Sequence, residues 1–172
     1  MKNIQSDGPL MEDTFDPRVL DWYRQFSRET LEINSDPNLF VPVREEEIQK
    51  FEEEFGRILP TPYLAFLRQI GWGRLTGDIN GQDTLDYENC FLDPASIAEI
   101  MRRTSIEWQI YPDFIREDEV PFFSLGNNSV LVFRRGAGTS VYFPYLEQRF
   151  AASFGDFISR LRRDCMFYRQ LL

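Results

Sequence analysis

The stretch "FEEEFGRILPTPYLAFLRQIGWG", residues 51–73, constrains the fold of this chain more than any other. Ile48, Phe51 and Phe55 recur at i, i+3 and i+7, which makes one apolar stripe on a helix. At 100° per residue, Glu46 and Glu53 fall opposite that stripe and the other four glutamates of 45–47 and 52–54 flank it. The acid run therefore wets the outer faces of a packed helix. Gly56 is placed to end it, because the left-handed conformation costs glycine little. Thr61-Pro62 reads as a cap followed by proline at the first position of a second helix. Its buried face is Tyr63, Phe66, Leu67 and Ile70, and Gly71 closes it. Two short helices on so tight a link must bury both stripes on something else.

The rest of the chain supplies that layer. "VPFFSL", "SVLVFRR" and "TSVYFP", within residues 120–146, are short runs of β-branched and aromatic residues. "GNN" and "GAG" separate them, which predicts antiparallel hairpins. Asp16-Pro17 predicts a helix over 17–28, with Leu20, Tyr23 and Phe26 at helical spacing. "NSDPN" at 34–38 is a turn cluster after it. Residues 74–92 read as a loop with a short strand or two, and Asp93-Pro94 caps a helix carrying Ile97, Ile100 and Met101. "TSIEWQIYPDF" reads as irregular or as a brief extension of that helix. Ser153 and Asp156 form a capping-box variant that opens a C-terminal helix through Phe154, Phe157, Ile158, Leu161 and Cys165. Arg160, Arg162, Arg163 and Arg169 fall along its later turns. The expected organisation is an N-terminal extension over 1–40, polar and loose over 1–14 and carrying one helix, then one domain over 41–172. The expected class is α+β, with helices packed around one mainly antiparallel sheet.

Composition narrows the chemistry. The chain has 172 residues, enough for one domain with a real core, and 42% are apolar, which argues against disorder throughout. No run approaches the roughly 20 apolar residues of a membrane helix. The first residues lack the apolar segment of a secretory signal, so a cytoplasmic location is expected. Cys90 and Cys165 have neither disulfide-framework nor zinc spacing and read as reduced thiols. There is no histidine, so no Ser-His-Asp or Cys-His arrangement and no histidine metal site can be built within the chain. Phosphate-binding glycine loops are missing too. Net charge is −9. Residues 1–100 carry 20 acidic and 9 basic side chains, and residues 101–172 carry 8 and 10. Such a chain repels phosphate backbones, so nucleic acid is not expected as a partner, whereas a basic protein surface would be attracted.

The order of these pieces resembles the SUKH superfamily, named after the yeast Smi–Knr cell-wall regulator and widespread among bacterial immunity proteins. The first half of the resemblance is Ile48, Phe51, Phe55, Gly56, Leu59, Pro60, Tyr63, Phe66, Leu67, Gly71 and Gly73. The second is Pro121-Phe122, Gly126-Asn127-Asn128, Leu131 to Phe133, Val141-Tyr142, and Ser153-Phe154 with Phe157-Ile158. It covers roughly residues 44–162. Asn127-Asn128 stands where many members carry an aspartate after the glycines. The resemblance implies a binding module without a catalytic residue set or cofactor. It implies an immunity protein that neutralises a cognate toxin domain, often a nuclease, by one-to-one binding. A regulatory scaffold of the same fold with another partner is the alternative. A monomer or weak homodimer is expected.

Candidate contact residues follow from residue type and placement. Asp78, Asp83, Asp86 and Glu88 put four acids in an irregular stretch that could face a basic groove, and otherwise make a solvated loop. A carboxylate pair could in principle work on a glycosidic bond, but nothing here fixes a separation. Trp72, Trp108 and Tyr111 are of the types enriched at binding hot spots, with buried packing as the competing role. Arg134-Arg135 reads as a solvated strand edge, and the Asn127-x-Ser129 sequon as unused.

Overall fold

The structure is a computed structural model that describes residues 15–30, 36–76, 81, 88–104 and 106–171. The expected loose segment 1–14 lies outside those residues. Helix α1 (Pro17–Arg24) begins as the sequence predicts: the Asp16 carboxylate accepts from the Arg18 N–H. It stops at Arg24 rather than 28, because the backbone beyond it is used elsewhere. The Arg28 N–H donates to the Phe40 carbonyl (2.8 Å), and the Phe40 N–H donates to the Phe26 carbonyl (2.9 Å). These bonds cover one side of β1 (Asn38–Val41).

Helices α2 (Glu45–Phe55) and α3 (Thr61–Gln69) form the predicted hairpin. Gly56 caps α2 at φ 78. Pro60 is the N-cap of α3 and the Thr61 side chain makes no capping bond, so the helix starts one residue before the predicted position. Two bidentate pairs brace α2. Arg68 of α3 donates to Glu45 (2.8 and 3.0 Å), and Arg102, which caps the C-terminus of α4 (Pro94–Met101), donates to Glu54.

The strands β2 (Trp72–Leu75), β3 (Cys90–Phe91), β4 (Glu119–Gly126), β5 (Ser129–Arg134), β6 (Val141–Tyr142) and β7 (Arg149–Ala151) complete one sheet with β1. Its order is β1-β2-β3-β4-β5-β6-β7 and its pairings are antiparallel, so the class is α+β as expected. Asn127 and Asn128 both have positive φ (51° and 58°), the backbone of a type I′ hairpin turn. Helix α5 (Ile106–Ile110) is a separate short helix where the sequence reads as irregular chain or a brief extension of α4. Helix α6 (Phe154–Arg163) starts on Ser153, whose hydroxyl accepts from the Asp156 N–H (3.0 Å). It ends before Cys165; Cys165 and Arg169 lie beyond it, Arg169 in a 3-10 turn (Phe167–Leu171).

Aromatic rings fill the space between α3, α6 and the sheet. Phe66 stacks on Phe91 (4.7 Å) and Phe122 on Phe133 (4.1 Å), with Phe154 edge-on to all four. A bulge between Pro121 and Phe123 lets two consecutive phenylalanines, Phe122 and Phe123, both reach Phe157. Tyr23 of α1 packs edge-on to Phe40, Phe66 and Phe91, and its hydroxyl donates to the Ile158 carbonyl (2.9 Å). Residues 15–30 and 38–41 therefore share one core with the rest. Among the described residues, no helix is long and apolar enough to cross a membrane.

Candidate partner-binding surface

Pleating points Cys90, Ser124 and Val130 away from the core residues Phe91, Phe123 and Leu131 beside them. The three are in register, Cys90 opposite Ser124 and Ser124 opposite Val130. They floor a cleft of about 340 Å³, walled by Ser96, Glu99 and Ile100 of α4, Ile106 of α5, and Phe114. Glu88 stands exposed at its edge and accepts from the Ser124 hydroxyl (2.6 Å).

The predicted contact residues divide around this cleft. Asp78, Asp83 and Asp86 lie outside the described residues. Trp108 is half-buried and ties α5 to α4: its indole N–H donates to the Ile100 carbonyl (2.5 Å), and its ring meets Phe114 edge-on. The Arg103 guanidinium lies over the same ring at 4.7 Å. Tyr111 follows α5 directly and is exposed, as are Ile106 and Ile110. Trp72 lies on β2, half-buried against the core, and does not line the cleft. Glu88 edges the cleft and Trp108 packs against its wall residues Ile100 and Phe114, whereas neither Tyr111 nor Trp72 lines it.

The cleft can receive a side chain, but its thiol is not poised for chemistry. Burial, then the charges of Glu88 and Asp93, push Cys90 up to about 12. Raising the pKa lowers the thiolate fraction, which makes a thiol a weaker nucleophile. Among the described residues no cluster of acids and cysteines could hold a metal ion. Among the described residues, Glu45 and Glu54 are the carboxylates with displaced pKa values, both lowered by hydrogen bonds from Arg68 and Arg102, and neither lines the cleft. A larger groove of about 1100 Å³ lies between α1, the start of α3 and residues 137–140. Its charged side chains, Asp21 and Arg24, pair with each other, and none of the predicted residues lines it.

One feature escaped the sequence reading. Arg134 is not a solvated edge: it is buried and paired with the wholly buried Glu119 (3.0 Å), with its guanidinium over the Tyr142 ring at 4.2 Å. Glu119 also accepts the backbone N–H groups of Arg116 (2.9 Å) and Tyr145 (3.0 Å), and Arg134 donates to the Leu146 carbonyl (2.6 Å). Two charges at the open end of a hairpin were the available signal. Counting outward from Asn127-Asn128 would have set Glu119 opposite Gly136. Two register shifts, each of one residue, bring it opposite Arg134 instead.

Compared with known proteins, residues 42–160 match the SMI1 / KNR4 family (SUKH-1). The chain is also similar to "Immunity protein YxxD" of Bacillus subtilis (strain 168), 23% identical over 141 residues, covering 78% of this chain and 90% of that protein. Helix α1 and the first strand residues lie outside the matched family segment.

Proposed function

The chain belongs to the SMI1 / KNR4 family (SUKH-1), and from that premise we propose that it is an immunity protein. It binds a toxin domain one-to-one in the cytoplasm and holds it inactive, by contact and without chemistry or cofactor of its own. The observation that carries this reading is the likeness to an immunity protein across 90% of that protein's length. Large apolar side chains that stand exposed at α5 support it. The net charge of −9 suits a partner built to hold phosphates, so a nuclease is the toxin class proposed.

The test is a pull-down from the native host with this chain as bait, read by mass spectrometry. The expected result is one toxin domain, retained through a high-salt wash, whose toxicity in a test strain is suppressed by co-expression of the chain. Recovery of housekeeping or signalling proteins with no toxin domain would replace this reading with that of a regulatory scaffold.

A further inference from the structure

The cleft floored by β3, β4 and β5 favours an occupant of one polarity. Its polar side chains are Glu88, Cys90, Ser96, Glu99 and Ser124. The Ser124 hydroxyl donates to Glu88 (2.6 Å), and the Ser96 hydroxyl donates to Asp93. The Cys90 thiol gives its weak donor to the Phe91 carbonyl (3.7 Å). The side-chain protons of the cleft are therefore spent inside the protein, and what these groups leave for an occupant is acceptors. Lysine and arginine side chains bring several donors and no acceptor, which is the complement of such a lining.

Charge agrees. Glu88 lies just ahead of β3 and Glu99 lies on α4, so the two carboxylates come from different elements. Neither makes an ion pair among the described residues. No lysine or arginine lines the cleft. Arg74 stands across the β2–β3 ladder from Cys90, yet at the Cys90 thiol Glu88 and Asp93 each outweigh it. Arg102, which follows α4, is held by Glu54, and Arg103 lies over the Trp108 ring. Residues 75–101, the sequence that carries β3 and α4, include Asp78, Asp83, Asp86, Glu88, Asp93 and Glu99 but no lysine or arginine.

The walls suit a long stem. Leu92, Ile100, Ile106, Phe114 and Val130 supply apolar surface, and Ile106 is 64% exposed. Long basic side chains lay their methylene stems on such surface while the charged head reaches a polar partner. Glu88 is already held by Ser124, so less freedom is lost when a cation meets it.

We propose that the Glu88 cleft receives a lysine or arginine side chain of the protein partner, with its stem against Ile100, Ile106 and Phe114 and its head on Glu88 and Glu99. This rests on the immunity reading, with the toxin domain as that partner. Ser124 is a positioning residue, holding Glu88 from the floor.

The experiment uses the full chain and the toxin domain recovered by the wild type. Glu88→Gln/Glu99→Gln removes both charges and keeps both shapes at exposed positions, and Ile106→Ser removes part of the wall. Glu46→Gln/Glu53→Gln makes the same charge change at exposed positions of α2 and serves as control. Thermal unfolding shows that each variant is folded. The cleft variants are expected to weaken binding roughly tenfold or more, and the control to stay within about twofold. Cys90 floors the cleft, so its alkylation by iodoacetamide at mildly alkaline pH, read by peptide mass spectrometry, is expected to be lost in the complex. If the wild type binds the toxin domain while the folded cleft variants stay within about twofold of it, or Cys90 is alkylated as fast in the complex as in the free chain, this proposal fails and the immunity reading stands. Equal losses in the control and in the double cleft variant would assign binding to overall charge and likewise overturn the proposal. If the wild type binds no toxin domain, both fail together.

Discussion

Cys90 shows how one side chain records its surroundings. It lies on β3, between the acids Glu88 and Asp93 in sequence, and is largely enclosed under α4. Burial is the larger cause of its raised pKa, and those acids add to it. Its pKa moves from 9.0 to about 12 on folding, so its contribution to stability is fully present below pH 9 and is lost as pH rises toward 12. Wild-type stability should therefore fall above pH 9, and more steeply than that of Cys90→Ala, in urea titrations at stepped pH. The buried Tyr23 and Tyr63 hydroxyls are pushed up as well, so a fall common to both proteins is expected at still higher pH. Parallel curves for the two proteins would show that the thiol ionises in the native state as freely as in the unfolded chain.

Among the elements, β1 and β2 approach so closely that no side chain fits between their backbones, and the two glycines around Trp72 make this possible. Phe40 pairs with Gly73, and Val41 with Trp72. A Cβ on Gly73 would stand 1.9 Å from the Leu39 carbonyl oxygen, and one on Gly71 would stand 2.1 Å from Val41 backbone atoms. Both glycines also have positive φ (153° and 119°), so an added side chain meets strain as well as a clash. Backbone cannot yield as a side-chain tip can. Gly73→Ala is thus expected to cost about 3 kcal/mol or more, measured by chemical denaturation, with faster hydrogen exchange at Phe40 and Arg28. A loss confined to a few tenths of a kcal/mol would mean that β1 shifts freely. Gly71, which reads as a helix stop in the sequence, does close α3 and also admits β1 beside it, while Gly73 lies within β2.

For the whole molecule, the question is how the first forty residues relate to the rest. Val19, Leu20, Tyr23 and Phe40 are buried in the same core as Phe66, Phe91 and Phe154. Each buried side chain of this kind contributes about 1.5–3 kcal/mol. Together they rival the roughly 5–15 kcal/mol that holds an entire domain. A chain beginning at residue 42, where the family match begins, also lacks the strand that pairs with β2. It is expected to show no cooperative thermal transition by circular dichroism, whereas the full chain does. A cooperative melt of the 42–172 fragment would instead establish residues 1–40 as the separable extension that the turn cluster at 34–38 suggests.

The sequence by itself determined the features that act within a few residues. Apolar spacing placed α2, α3 and the core face of α6; Asp16, Asp93 and Ser153 marked helix starts; and Asn127-Asn128 marked the hairpin. Trp108 and Tyr111 were singled out by residue type and Glu88 as part of an acidic stretch; in the fold Glu88 edges the cleft, Trp108 packs behind its wall, and Tyr111 is exposed after α5. Tertiary structure alone decided where α1 stops, because the stop is set by hydrogen bonds from residues 26–28 to Phe40. It alone joined Glu119 to Arg134 and so fixed the backbone at Tyr145. Helix starts and hairpin turns are local chemistry, written in neighbouring residues. A pairing that depends on two bulges, or a helix end that depends on a strand a dozen or more residues away, exists only once the chain has closed on itself.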